Sequence, residues 1–353
     1  MMIPSAARIR LANVKGRVLL GVFGGVALAI CLFVYYGLEP IGRAFAAAGW
    51  SGLAALCGVH LLSVLLCALA WQALLEEIPP RSTLAFVWAR WLRDSAGNLL
   101  AVIPTAGEVI AARELSFHGI RLSLAGATTI IDLTIEILSQ LLFTLLGLGF
   151  LLAGRPGAGG AWWAMGGLVV ATLALAGFIY LQRRGLYRLL QKLPAQHGLR
   201  RRFERRVEVA RVDAAIQQIY RHPARVAASI MLHLAGWVVG AAETWLGLKL
   251  MGYPLSFSDA LVIESLVFAL RTTAFVVPWA AGVQEGGYLM LGALFGLQPE
   301  VSLALALLKR AREIVVGLPA LLIWQGIEWR RFLLGSGGFW RRMPSADICE
   351  PHS

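Results

Sequence analysis

Charge is scarce in this sequence: Asp, Glu, Lys and Arg make up 15% of its 353 residues while 58% are hydrophobic, against about 25% charged in soluble domains. A globular core cannot use that much apolar surface, so a soluble chain is excluded. Cysteine is scarce too. Cys31, Cys57 and Cys67 lie inside apolar runs and Cys349 in the tail, a spacing that suggests neither a disulfide nor a metal site. The chain also lacks a Gly-x-Ser-x-Gly elbow, a phosphate loop ending in Gly-Lys-Ser/Thr, and a His-Glu-x-x-His helix. No catalytic residue, metal or cofactor is therefore expected, and the chain is not read as an enzyme.

What is present is apolar sequence in long blocks, such as Val18 to Tyr36, Gly52 to Leu75 and Leu138 to Ala153. A hydrocarbon core roughly 30 Å thick asks for about 20 such residues per helix. Arg8, Arg10, Lys15 and Arg17 precede the first block, which outruns the roughly 7–15 apolar residues of a cleavable signal and reads as an uncleaved anchor. The formal net charge is +12, but the cations sit in short segments beside apolar blocks. That is the positive-inside pattern, not a nucleic-acid surface.

Six segments read as full crossings: 18–36, 51–75, 122–153, 162–182, 226–250 and 301–327. Two more, 84–120 and 259–298, are apolar but broken near the middle, one by Pro104 and Gly107, the other by Pro278, Gly282, Gly286 and Gly287. Proline removes a backbone donor and glycine permits turns, so each reads as two half-helices around a bend. The 183–225 segment carries twelve Arg and Lys, whereas the loops at Arg43 and Arg155 carry one each. Treating both broken segments as re-entrant hairpins, one from each side, places that basic segment and both termini in the cytoplasm of a bacterial inner membrane. The fold class is thus an all-α polytopic membrane protein. It divides into a first membrane half (1–182), a basic amphipathic segment (183–225) suited to anionic inner-leaflet lipids, a second membrane half (226–327) and a tail (328–353). Hairpin followed by charged helix occurs twice, as an inverted repeat predicts.

Ionisable groups at membrane depth cost at least about 2.5–3.5 kcal/mol each, so their clusters mark candidate sites. Lys309, Arg312 and Glu313 share one helix face, with Arg310 beside them. The spacing lets Lys309 neutralise Glu313 locally, and the excess of cations favours an anionic partner, either a headgroup or an acidic side chain. Asp132, Glu136 and Gln140 form an acidic stripe extended by Thr128. It either pairs with the basic helix or contacts substrate. The first bend contributes Glu108, Arg113 and Glu114, with Arg93, Asp94 and Asn98 on the arm before it; the second contributes Gln284 and Glu285, with Glu264 and Arg271 before it. Half-helix ends expose unpaired backbone groups, which makes such bends natural binding sites. His60 and His233 read as hydrogen-bonded packing histidines, Gly236 and Gly240 as a close-packing pair, and Glu243 stays open.

Trp91-Leu92-Arg93-Asp94 up to Glu108-Val109, then Ile131-Asp132-Leu133-Thr134-Ile135-Glu136, and above all Gly282-Val283-Gln284-Glu285-Gly286-Gly287-Tyr288 followed by Leu308-Lys309-Arg310-Ala311-Arg312-Glu313 resemble the flippase-like family. That family is named after the transmembrane region of lysylphosphatidylglycerol synthase, and the likeness is greatest to its hopanoid-associated HpnL branch. The resemblance implies a lipid translocase or lipid-binding transporter whose partner is a phospholipid, hopanoid or isoprenoid-linked amphiphile. It also implies lipid handling without the soluble aminoacyl-transferase domain of the synthases. Ala106 and Trp279-Ala280 depart from the family pattern and point to bends shaped for a different ligand. An accessory protein of a lipid-modifying assembly, or a membrane enzyme acting on an isoprenoid lipid, would use similar residues.

Overall fold

A computed structural model describes residues 30–75 except 33, 82–100, 105–154, ten positions between 166 and 180, 206–273 and 280–333. Every regular element among them is helical: α1 Leu38–Gln72, α2 Ser82–Leu99, α3 Ala106–Phe117, α4 Leu122–Gly154, α5 Arg206–Tyr220, α6 Pro223–Leu250, α7 Phe257–Thr273, α8 Val283–Leu294 and α9 Pro299–Leu333. Three stretches, Ile41–Gln72, Leu122–Gly154 and Pro223–Leu250, are long and apolar enough to cross a membrane. The 35-residue α9 is long enough as well, at about 1.5 Å rise per residue, but charged groups interrupt its apolar run. The expected crossings 18–36 and 162–182 fall largely outside the described residues, as do Pro104 and Pro278.

Local sequence explains the helix boundaries. Gly49, at φ 64°, breaks α1 between its first turns and its long apolar part, a conformation open mainly to glycine. Pro223 opens α6 at its first position, where a missing N–H costs nothing. Pro319 lies inside α9, and the Trp91 indole N–H donates to the carbonyl of Val316 one turn earlier, at 2.9 Å.

Each broken segment folds back on itself. α2 packs against α3, and α7 against α8. With 18, 12, 17 and 12 residues, the four arms span roughly 18–27 Å at about 1.5 Å per residue, short of a full bilayer core. The first pair is in closest contact at Gly107, where an added Cβ would lie 2.5 Å from the Arg93 carbonyl oxygen. That oxygen belongs to backbone and cannot swing away. Gly107→Ala is therefore expected to destabilise the first hairpin by about 1–3 kcal/mol through overpacking, read as a lower melting temperature in detergent. An unchanged melting temperature would show that the two arms do not pack this closely.

Two apolar clusters sit at opposite ends of the molecule. One gathers Trp71, Phe86, Ala111, Leu115 and Ile120 around the first hairpin; the other gathers Leu56, Leu248, Ile263, Leu291 and Leu305 around the second. The hairpins accordingly lie at opposite ends of α9, α3 meeting its C-terminal end through Arg113 and Glu328 and α8 meeting its start through Gly292 and Ser302. Helix α9 reverses the usual pattern of a soluble helix. Lys309, Arg312, Glu313, Val316 and Ala320 are buried, whereas Ile314, Leu318 and Leu322 are exposed. Apolar residues at i, i+4 and i+8 facing outward and charge facing inward is what a lipid solvent selects.

Part of the basic segment lies among the described residues. Helix α5 turns Ile216 and Ile219 into the apolar cluster that also holds the start of α4. Residues 183–205 lie outside the described residues.

Candidate functional site

Between the two apolar clusters lies a layer of buried charge. In the first half, α2 supplies the cations and α4 the acids. Arg90 grips Glu136 with both terminal nitrogens, at 3.0 and 2.5 Å, and its Nε donates to Asp94 at 2.9 Å. Arg93 donates to Asp132 at 2.6 Å and to Glu136 at 2.7 Å, and its Nε lies 3.6 Å from Glu108 at the start of α3. His233 on α6 completes Asp132, with its Nε2 3.0 Å from the second carboxylate oxygen. The planar guanidinium fork suits such two-oxygen pairing.

In the second half the arm α7 carries both signs, Glu264 facing Lys309 and Arg271 facing Glu313 on α9. Glu264 on α7 accepts hydrogen bonds from Lys309 at 2.6 Å, Thr244 at 2.5 Å and Tyr288 at 2.9 Å. Arg312 donates to Glu243 at 2.9 Å and lies 3.4 Å from His60. Arg271 reaches Glu313 at 3.4 Å, and Arg310 reaches Glu313 at 3.3 Å and Glu285 at 3.4 Å. Arg271 and Arg310 thus hold their acids less tightly than the other cations do, and their side chains are 18% and 20% exposed.

Several expectations need correction. Lys309 does not neutralise Glu313; it turns to Glu264, a fully desolvated acid already served by two hydroxyls, leaving Glu313 to Arg271 and Arg310. The excess cations of the α9 stripe meet acidic side chains from other helices, Lys309 with Glu264, Arg310 with Glu285 and Arg312 with Glu243. The acidic stripe of α4 pairs with α2 and not with α9. Its Gln140 bonds Thr272 at 2.5 Å, and its Thr128 hydroxyl turns back to the Ala125 carbonyl at 3.0 Å.

Glu285 occupies the third position of α8 and accepts the Gly282 N–H at 2.8 Å, so it caps the half-helix and pairs with Arg310 instead of Arg271 or Arg312. Gln284 is fully buried, and neither amide atom has a hydrogen-bond partner among the described residues. Gly286 has open space where a Cβ would stand, and Gly287 has only ordinary contacts at 3.4–3.5 Å with Val267 and Leu270. Neither of these glycines is needed for a close approach. Gly236 is, since a Cβ there would meet Cys67 Sγ at 3.0 Å, whereas Gly240 faces Glu264 at 3.9 Å across open space.

Arg113 stands apart from the central layer. It forks onto Glu328 at 2.8 and 2.9 Å, while Arg331 bonds Glu114 and Glu328, both at 2.7 Å. Both guanidiniums lie against the ring of Phe117, at 4.8 and 3.9 Å from its centroid. This cluster ties the first hairpin to the end of α9.

The central groups surround a cavity of about 180 Å³ that reaches from Arg90, Asp94 and Glu136 on one side to Glu264, Arg271 and Glu313 on the other. That is room for several waters, each needing at least roughly 10–15 Å³. Sequence reading missed Arg90, although it lies one turn before Arg93 and Asp94 on the same face of α2. The expected hydrogen bond of His233 is made with Asp132.

Residues 18–320 match the family described as the lysylphosphatidylglycerol synthase TM region. The chain belongs to that family. The matched span contains both hairpins and every residue of the central charged layer. No curated protein and no solved structure matches the chain. As a helical membrane domain of the lysylphosphatidylglycerol synthase TM-region family, the protein has a lipid-related setting for its buried polar chamber.

Proposed function

We propose that the protein moves an amphiphilic lipid, hopanoid-related or phospholipid, between leaflets of the bacterial inner membrane, with both termini cytoplasmic. The observation that carries this reading is the charge-lined cavity, roomy enough for water, between two hairpins at opposite ends of the molecule. A lipid headgroup can cross hydrocarbon only if polar groups replace its water, and a chamber reached from alternate sides by two half-helix pairs supplies them. The pairing supports an inverted repeat. Arm and following helix are joined at chain separations of 39, 43 and 46 in the first half and 42 and 45 in the second, with the signs of charge kept in Arg271–Glu313 and exchanged in Glu264–Lys309.

The headgroup is met by Arg271 and Arg310, whose contacts to Glu313 and Glu285 are longer than those of the other layer cations to their acids and can be traded for a ligand. Lys309, Arg312, Arg90 and Arg93 position the chamber walls. A leaflet-specific lipid assay in proteoliposomes tests the reading. Movement of unaltered lipid above the rate of protein-free liposomes is expected. A chemically changed lipid would instead identify an enzyme.

A second reading has its own support. The tight pairs Lys309–Glu264 and Arg90–Glu136 are closed among protein groups, as in a purely structural core of an accessory protein. Under that reading the same assay shows no movement by folded protein.

A further inference from the structure

We infer that Gly240 sets the size of the central chamber, and that the chamber takes a headgroup made of a single phosphate with a short polar substituent. The headgroup class rests on the translocase reading; the role of the glycine does not. Glycine weakens a helix interior relative to alanine, so one in the middle of the 28-residue α6 calls for a reason. Packing supplies it at Gly236, which is buried and where a Cβ would meet Cys67 Sγ at 3.0 Å and Ser63 Oγ at 3.5 Å. Packing does not supply it at Gly240. Among the described residues, the one side-chain atom that a Cβ there would meet within 4 Å is Glu264 Oε1, at 3.9 Å. Gly240 is itself part of the chamber wall, and a longer side chain would grow into the chamber.

The walls around this position are not free to spread. Trp237, one turn before it on α6, donates its indole N–H to Ser139 at 3.0 Å and meets the Phe268 ring edge-on at a centroid distance of 4.8 Å. Glu243, one turn after it, is fixed by Arg312 at 2.9 Å. Glu264 is held by Lys309, Thr244 and Tyr288. Moving any of these groups would strand a buried partner, which costs more than the hydrogen bond itself contributes.

The absent side chain of Gly240 is therefore what leaves room, and the room is limited. At about 10–15 Å³ for each water-sized group, the 180 Å³ of the chamber holds roughly a dozen of them. A phosphate bearing glycerol or ethanolamine fits; a headgroup extended by sugar rings does not. Arg271 on the wall meets the phosphate, and Asp94 and Asn98 on the same wall offer partners to a hydroxyl or amine of the substituent.

Two measurements test the inference, and the first needs no lipid substrate. Gly240→Ala is expected to melt at or above the parent's temperature in detergent, because its methyl group enters open space and alanine favours the helix. A lower melting temperature would make Gly240 a packing position and overturns the inference. The second measurement follows two acyl-labelled lipids of equal charge, phosphatidylglycerol and the larger phosphatidylinositol mannoside, between leaflets of proteoliposomes. The parent is expected to move the first about tenfold faster than the second, and Gly240→Leu that elutes like the parent on size exclusion is expected to slow the first about tenfold. Where leucine prevents folding, Gly240→Ala takes its place, with a smaller slowing. Equal rates for the two lipids in the parent, or unslowed phosphatidylglycerol in the folded variant, overturns the size limit while the translocase reading stands. No movement of either lipid in any sample overturns the translocase reading and the headgroup class with it, and the melting comparison still decides the role of Gly240.

Discussion

Replacing Lys309 by Met is expected to lower the folded yield in detergent sharply, and replacing Glu264 by Gln in the same chain is expected to restore much of it. Lys309 and Glu264 are 2% and 1% exposed and 2.6 Å apart. Removing one member of a buried pair leaves a charge without compensation, at a cost of about 3–5 kcal/mol, whereas removing both is often close to neutral. Thr244 and Tyr288 would still donate to the orphaned carboxylate, but hydroxyl dipoles do not replace a unit charge. The partner is the discriminating part of the experiment. Glu313→Gln is not expected to rescue Lys309→Met, because Glu313 is held by Arg271 and Arg310. Rescue by Glu313→Gln and not by Glu264→Gln would mean that Lys309 pairs along its own helix.

Arg93→Met is expected to have an effect of the same order. Arg93 is 5% exposed and bridges Asp132 and Glu136. Without it, Asp132 keeps His233 and the more distant Arg90, and Glu136 keeps Arg90. Truncation of a buried, paired charge again costs about 3–5 kcal/mol. Glu328→Gln, by comparison, removes an acid 25% exposed at the end of α9, where a partly solvated pair contributes about 1 kcal/mol or less. Thermal melts of the two purified variants give the comparison. Equal losses would contradict the placement of Arg93 in the desolvated layer.

The contrast between these two positions shows what sequence carries and what it does not. Hairpins were legible because proline and glycine interrupt apolar runs whose halves are too short to cross. The inward charge of α9 was legible because Lys309, Arg312 and Glu313 share a face. Partner choice was not, because pairs such as Lys309 with Glu264 or Arg312 with Glu243 join residues 45 and 69 positions apart, and spacing rules reach only one helical turn. A local partner therefore looked natural for Lys309 although a distant acid lay nearer in space. The same limit made the α9 cations look unbalanced: their acids come from α6, α7 and α8. The hydrogen bond of His233 was legible but its partner was not, since the aspartate is 101 positions away. Arg90 was within reach of spacing arguments, one turn from Arg93, and its face was there to be read.

Whether the chamber handles headgroups or only holds the helices together turns on the two cations that grip their acids least. The double variant Arg271→Gln with Arg310→Gln removes both while leaving the tight pairs of the layer in place, and lipid movement between leaflets of proteoliposomes is the measurement. A variant that folds and melts like the parent but no longer moves lipid is the result the translocase account predicts. A variant that folds and moves lipid at the parent's rate would contradict it.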